Sequence, residues 1–435
     1  MCYDAFTVIL RRKGASPCRH AGHFCQRTAW GSDHMKKKFS PVTLHYTLIT
    51  GGFWMAFCVV TAYAAVYLQG IGCSNQELGL ILALGNVGGA VLSPVLGALI
   101  DRNRNVRHAA VINVLLAVQV VLLVVLRVHP ERDLLNAACY VLYMTAMMPV
   151  NAVNLDLCVR LERAKAPLNF GFARSMGSFS FMILSTILGV LIARWGFLTL
   201  PFAGLGVVAL QFVGNRLIDR DLREAEALAP AAETAIQEKS SSLVSFVKEN
   251  RMFCLMLFGT IILFIPHNMD GNFLINEIRN LGGDTATMGL VASFTAITEI
   301  PIMMFSSKLP KKWETVQYIR LALVFFTLKI LAYALAPNIP LFFAARVLQA
   351  PSYALYTVLI VRYADSVVDR KDSAKAQSLA FSMTTIGSVL ASLIGGAMFD
   401  TAGVRTTMLT AVGISAVGTV VALAGTLKRK DSSLR

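Results

Sequence analysis

The sequence predicts an all-α membrane protein of twelve transmembrane helices in two pseudo-symmetric six-helix bundles. Three observations predict it. Apolar residues come in blocks of about twenty, the length that crosses a bilayer as a helix. Basic residues gather in alternate connections between those blocks. One stretch of the first half also aligns without gaps on a stretch of the second. Composition agrees: 55% of the 435 residues are hydrophobic, 15% are charged and the mean hydropathy is +0.60, far more apolar than a soluble domain.

Residues 1–34 differ from the rest. They are polar, carry Cys2, Cys18 and Cys25, and show no helical period. The apolar run from Phe6 to Leu10 is too short for a signal-peptide core, and no small-residue cleavage site follows. This segment reads as a non-native or disordered extension, with Met35 of MKKKFSP as the natural start. Cys18, His20, His23 and Cys25 are spaced too tightly for a metal site, and nothing downstream completes one. The other cysteines fall mostly in apolar blocks with no CxxC pair, so no metal or disulfide framework is expected.

The spans follow at 41–68, 76–99, 108–126, 134–158, 169–193 and 196–217, then 252–275, 286–306, 316–336, 339–363, 374–398 and 405–427. The odd-numbered connections hold only Arg127, Arg132, Arg194, Arg279 and Arg405. The even connections and the termini take nearly all other basic residues, including Lys36–Lys38, Arg102–Arg107, Arg160–Lys165, Lys308–Lys312, Arg370–Lys375 and Lys428–Lys430. Both ends are therefore expected in the cytoplasm, in a multi-pass protein of the plasma (inner) membrane. The net charge of +15 follows from this bias, and no basic patch interleaved with exposed aromatics points to nucleic acid. The bilayer and a small solute are the expected partners, with the monomer as the working unit. The domains read as 35–217 for the first bundle, 218–250 for a cytoplasmic linker, 251–427 for the second bundle and 428–435 for a tail. Within the linker, SLVSFVK (Ser242–Lys248) reads as a short amphipathic helix at the membrane interface.

The internal repeat ties the halves together. IGCSNQELGLILALGNVGGAVLSPVLGALIDRN from Ile71 aligns with LGGDTATMGLVASFTAITEIPIMMFSSKLPKKW from Leu281, pairing Gly79 with Gly289, Leu80 with Leu290, Gly97 with Ser307 and Arg102 with Lys312. Near the same offset, the LGV of Leu188–Val190 meets the IGG of Ile394–Gly396. Gly85, Gly88, Gly89, Gly387 and Gly395 read as small helix-contact positions.

Between the second and third spans lies GALIDRNRNVRH, Gly97 to His108. Gly97 permits close helix approach, and Asp101 stands where a helix terminus or an arginine can hold it. Gly97, Leu99, Asp101, Arg102 and Arg107 resemble the loop signature G-x-L-x-D-R-x-G-R-R of the major facilitator superfamily. Arg104, Asn105 and Val106 depart from it. FGFARSMGSFSF (Phe170–Phe181) resembles the YGRIRLWGSIGF segment of the branch of lactose-permease-like, oligosaccharide, nucleoside and phenylpropionate proton symporters. Gly171, Arg174, Gly177, Ser178 and Phe181 match, and Met176 replaces tryptophan. TEIPIMM (Thr298–Met304) and IGGAMFDTAG (Ile394–Gly403) resemble that branch's SEIP and GGxLYDxxG segments. The resemblance implies two bundles rocking about a central site, with a proton gradient and no bound cofactor. The Gly-Pro motif common in span five of the superfamily's antiporters is absent, which favours symport.

Charged groups inside hydrocarbon need partners and mark candidate sites. The spans of the second half carry Asp270, Glu299, Lys329 and Arg346. Counting about 1.5 Å per residue from the basic edges puts Glu299 and Lys329 roughly 13 Å deep, and Asp270 and Arg346 roughly 24–28 Å deep. Two ion pairs are expected from this, Glu299 with Lys329 and Asp270 with Arg346. Asp270 is the first candidate for the proton-coupling acid, with His267 one turn away, and Glu299 is the second. Asp156, close to Arg160, is expected to pair with Arg174 as a gate or structural contact. By the resemblance, solute contacts come mainly from spans one, four, seven and ten. That nominates Trp54, Tyr63, Asn151, Asn154, Asn268, Asn272, Gln349, Tyr353 and Tyr356, whose amides and ring faces suit a sugar, nucleoside or aromatic acid.

Proton-coupled symport of such a solute is the expected function, and the chain is not expected to be an enzyme. Drug or metabolite efflux by proton antiport is the alternative, and a non-transporting membrane sensor a remote one. No nucleotide-binding glycine loop, metal-ligand cluster or Ser/His/Asp spacing supports an enzyme.

Overall fold

The computed structural model describes residues 40–103, 107–228, 242–305 and 313–427. The expectations for residues 1–34, for the cysteine–histidine tract and for the tail 428–435 lie outside these. Twelve helices are long and apolar enough to cross a membrane. They are α1 (Pro41–Ala62), α2 (Asn75–Arg102), α3 (His108–Val128), α4 (Leu134–Arg163), α5 (Phe170–Trp195) and α6 (Thr199–Leu228), followed by α7 (Arg251–Asn280), α8 (Thr285–Phe305), α9 (Thr315–Leu335), α10 (Ile339–Val367), α11 (Ser373–Thr401) and α12 (Gly403–Gly425). Among the described residues there is no strand. An even number of crossings puts both ends of the chain on one face, called here the terminal side; the other is the far side.

Local chemistry sets the helix starts. Ser74 and Glu77 form a capping box on α2, with Ser74 Oγ accepting from the Glu77 N–H at 3.1 Å and Glu77 Oε2 accepting from the Ser74 N–H at 2.9 Å. Asp133 accepts from the Asn136 N–H at 2.8 Å to start α4, and its carboxylate holds the imidazole of the exposed His129 above its ordinary range. The far-side turns after α1, α5, α7 and α11 each contain a glycine at positive φ: Gly72 (91°), Gly196 (82°), Gly282 (82°) and Gly403 (74°). Gly72 and Gly282 occupy matching places in the two halves, as do Gly196 and Gly403, so the duplication extends to the turns.

The expected linker begins later than expected. α6 continues to Leu228 because its polar last turns are braced from neighbouring helices. Asp219 accepts from Arg107 at 2.7 Å and from Arg223 at 2.6 Å, and Asp221 faces His45 at 2.7 Å. The short helix Leu243–Glu249 forms as expected, with Phe246 buried against Phe253 and Leu243, Val244 and Val247 exposed.

The halves meet through two crossings, α2 on α11 and α5 on α8, and the repeat explains both. A Cβ on Gly289 would stand 2.5 Å from the carbonyl oxygen of Ser185 and 3.1 Å from the Cα of Gly189. A Cβ on Gly79 would collide with the carbonyl oxygen of Ser392 and lie 3.2 Å from the Cα of Gly396. Each crossing thus seats a glycine of one half on a Ser-x-x-x-Gly pair of the other, a small-residue contact that lets backbones touch. The functional equivalent of Gly189 is Gly396, one position from the Gly395 that the sequence alignment selects. Gly395 packs on Phe273 and Met269 within its own half, as Gly387 does on Phe264, while Gly85, Gly88 and Gly89 pack on α4.

Polar contacts close the same end. Gln69 Nε2 donates to Asn276 Oδ1 at 2.7 Å, Arg279 to Gln69 Oε1 at 2.6 Å, and Asp400 accepts from the backbone N–H groups of Asn75 and Gln76 at 3.1 and 2.8 Å. Asp400, from the second half, therefore caps the first turn of α2 in the first half. On the terminal side Arg107 pairs with Asp219 and Arg160 with Asp156, each within the first half. There a Cβ on Gly97 would meet nothing within 4 Å. Gly97 is therefore not a close-approach position in this conformation, contrary to expectation.

Candidate functional site

Two helices of the second half are irregular where their polar residues cluster. α7 contains Pro266, which cannot donate to the helix ladder, and Phe273 leaves helical geometry at φ −115°, ψ 18°. Asp270 lies between them. α10 breaks more fully: a 3₁₀ stretch Arg346–Gln349 runs into a π-helical turn Ala350–Ala354 containing Pro351, before α-helix resumes at Leu355. Arg346 and Gln349, the two polar side chains of that stretch, both point into the bundle and are buried.

Arg346 Nη1 donates to Asp270 Oδ2 at 2.7 Å, both groups buried. The guanidinium carbon lies 4.1 Å from the ring centroid of Tyr333 and 4.4 Å from that of Phe342, and the two rings hold it by cation–π contact. Glu277, two turns beyond Asp270 on the same face of α7, is also buried and lies 3.9 Å from Arg346 Nη2. Sequence reasoning missed Glu277. Its seven-residue spacing from Asp270 was the available signal, but a depth count alone puts it near the far rim.

Glu299 and Lys329 do not pair directly. Gln349 stands between them, accepting from Lys329 Nζ at 3.0 Å and donating to Glu299 Oε1 at 2.8 Å. Depth along the helices fixed their level but not their direction around the axis, and a third helix fills the gap. Lys329 Nζ also lies 2.9 Å from His267 Nδ1. His267 in turn packs on Tyr353, ring centroids 4.7 Å apart. The result is a continuous polar chain, His267–Lys329–Gln349–Glu299, across α7, α9, α10 and α8.

Asp156 and Arg174 do not meet either. Asp156 is taken by His108 at 2.5 Å and by Arg160 at 3.3 Å. Arg174 instead lies over Trp54, 4.5 Å from the ring centroid, and reaches Ser178 Oγ at 3.4 Å. It turns toward the second half, within electrostatic reach of Glu299 and Tyr353. Arg174, with Trp54 beneath it, thus lies on the side of the first half toward Glu299 and Tyr353 of the second.

The other candidates divide clearly. Tyr63 is buried at the α1–α5 contact and donates to the Ser185 carbonyl at 2.7 Å; Tyr356 is buried beside Thr260. Asn272 donates to Ser392 at 3.0 Å and Asn268 to its own helix at 2.7 Å. Each of these four already makes a hydrogen bond within the protein in this conformation. Asn154 is buried, with Tyr46 donating to its carbonyl at 2.9 Å and its Oδ1 unbonded, and Asn151 is half-buried one turn away. In the loop motif, Arg107 grips Asp219 and Arg102 is exposed; the side chain of Asp101 lies outside the described structure. Among the described residues no cluster of three or more His, Cys, Asp or Glu could hold a metal ion.

Comparison with known proteins agrees with this architecture. The family model described as "MFS_1 like family" matches residues 50–410. The maltose permease of Geobacillus stearothermophilus is 25% identical over 378 residues, which cover 85% of this chain and 89% of the permease. A Deinococcus radiodurans protein, provisionally named a sugar efflux transporter, is 22% identical over 375 residues, covering 85% and 91%. The crystal structure of the nucleoside transporter NupG superposes with a TM-score of 0.66 over 89% of this chain and 100% of that one, at 13% identity.

Proposed function

The chain belongs to the MFS_1-like family of major facilitator transporters, and from that premise we propose that it moves a small polar organic solute, a sugar or nucleoside, in symport with protons. It is a multi-pass membrane transporter and not an enzyme. The observation that carries the finer reading is the polar chain ending on Glu299, opposite Arg174 and Trp54, beside the buried Asp270–Arg346 pair. A carboxylate and a guanidinium facing each other across an aromatic-lined cleft can each hydrogen-bond a hydroxylated ring, while Trp54 and Tyr353 cover its apolar faces. The buried pair supplies an acid whose proton affinity changes when its cation withdraws. The two sugar-transporting relatives support the solute class. The loop charge bias supports cytoplasmic termini in the plasma membrane. The protein works as a monomer, each chain carrying both halves of the cleft.

The test is uptake by purified protein in liposomes under an imposed pH gradient, across a panel of sugars, nucleosides and aromatic acids. Symport requires proton movement with one solute and accumulation only when a gradient is present. Solute leaving as protons enter would instead establish efflux by antiport. Replacing Glu299 with Gln raises the half-saturating solute concentration on the order of tenfold or more, since a hydrogen bond to a charged group contributes about 1.5–3 kcal/mol. Unchanged saturation in that variant would remove Glu299 from the solute site.

A further inference from the structure

We propose that Glu277 and Asp270 share one proton above Arg346, and that this proton is the one moved in coupled transport. The second clause rests on the symport reading above; the first does not.

Hydrogen-bond accounting carries the argument. Asp270 uses Oδ2 for Arg346, and its Oδ1 is buried with no donor among the described residues. Both oxygens of Glu277 are likewise buried without a donor. Two ionised carboxylates can only accept, so neither relieves the other. A proton on Glu277 converts it into a donor, and the Asp270 carboxylate, whose Oδ1 is unbonded, is the acceptor beside it. One hydrogen then satisfies an oxygen on each side.

Charge leads to the same place. The ionisable groups acting on Glu277 are Asp270 on its own helix and Arg346 on α10, with the Tyr333 phenol of α9 beside them. Lys329 reaches Asp270 but is engaged with His267 and Gln349, and Glu299 and Arg174 balance one another across the cleft. Around Glu277, therefore, two acids face one cation. Removing one partner's charge compensation inside a protein is strongly unfavourable, and a shared proton restores balance. Tyr333 Oη, Arg346 Nε and Arg346 Nη2 are themselves unbonded, and Nη2 stands 3.9 Å from Glu277 Oε2, beyond hydrogen-bond distance, so none of these donors satisfies the Glu277 carboxyl. No metal can play the part, because Arg346 already occupies the cation position.

The step is a plain proton exchange. Water on one side gives up a proton to the Glu277 carboxylate, forming Glu277–OH hydrogen-bonded to the Asp270 carboxylate. When the bundle rearranges, the same O–H breaks and the proton returns to water on the other side.

Infrared spectroscopy of the purified protein in lipid tests the sharing directly. Wild type is expected to show a carboxylic-acid C=O band that Glu277→Gln lacks and Glu277→Asp retains. Asp270→Asn also removes it, because Arg346 then passes to Glu277 and ionises it. Glu277→Gln should unfold at the wild-type temperature, since its amide can donate to Asp270 as the protonated acid does; an ionised Glu277 would make the same change strongly destabilising. A band that survives Glu277→Gln, or a marked loss of thermal stability in that variant, overturns the sharing. In liposomes Glu277→Gln should abolish gradient-driven accumulation while keeping solute exchange. Accumulation that persists overturns the role in coupling. If wild-type protein moves no protons with any solute, the symport reading and the coupling clause fall, while the infrared result decides the sharing on its own.

Discussion

Asp270→Asn abolishes pH-gradient-driven accumulation of solute while leaving downhill exchange. The asparagine keeps the shape of the side chain but cannot cycle a proton, so the gradient loses its grip on the transport step. The accumulation ratio is expected to fall to that of a passive carrier, the same loss expected of Glu277→Gln. Folding should survive, because Glu277 lies 3.9 Å from Arg346 and can take the guanidinium when Asp270 lets go. Replacing both acids removes that refuge and leaves a buried, unpaired arginine. The double variant should lose about 3–5 kcal/mol, far more than either single change. Uptake and exchange in liposomes, together with thermal unfolding, check both statements. Accumulation by Asp270→Asn at the wild-type level would mean that another group couples the proton.

Gly289→Leu blocks closure of the far side. Even a Cβ at this position would press on the Ser185 carbonyl at 2.5 Å and on Gly189, and leucine adds three more carbons in the same gap. Overpacking of this kind costs about 1–3 kcal/mol or more, which shifts a two-state balance by about fivefold to more than a hundredfold. The variant is therefore expected to rest with its far end open and to transport at a tenth of the wild-type rate or less. Spin labels at the exposed positions 194 and 284 should move apart. Gly206→Leu, on an exposed face where nothing lies within 4 Å, serves as the control and should transport normally. Equal label distances in wild type and Gly289→Leu would show that this crossing does not set the conformation.

Much of the fold was legible in the sequence because a bilayer imposes a simple code. Each crossing needs about twenty apolar residues, and basic residues gather in alternate connections between them. Membership of the major facilitator superfamily was legible as well, from the loop after α2 and the segments on α5, α8 and α11. The site was legible in one coordinate only. Rise per residue gives depth, and depth put Asp270 level with Arg346, where the structure has them 2.7 Å apart. It put Glu299 level with Lys329 too, but rotation about the helix axis is not written in a residue count, and Gln349 fills the space between them. Arg174 was misassigned for a related reason. Asp156, close to Arg160, was expected to pair with it, yet His108, at the start of α3, takes that carboxylate. Breaks in α7 and α10 added further error, since a ruler of constant pitch does not apply across them.

The break in α10 is worth following in rotation. Four residues of 3₁₀-helix, at three per turn, overwind the chain by roughly 80° relative to 3.6 per turn. The π-helical turn that follows unwinds it in the opposite sense. Both ends of α10 therefore keep nearly the phase of an unbroken helix, while the segment between them is twisted out of it. Arg346 and Gln349 ride on that segment, so the aim of the two side chains that grip Asp270 and bridge Lys329 to Glu299 is set by a local swivel rather than by the helix as a whole.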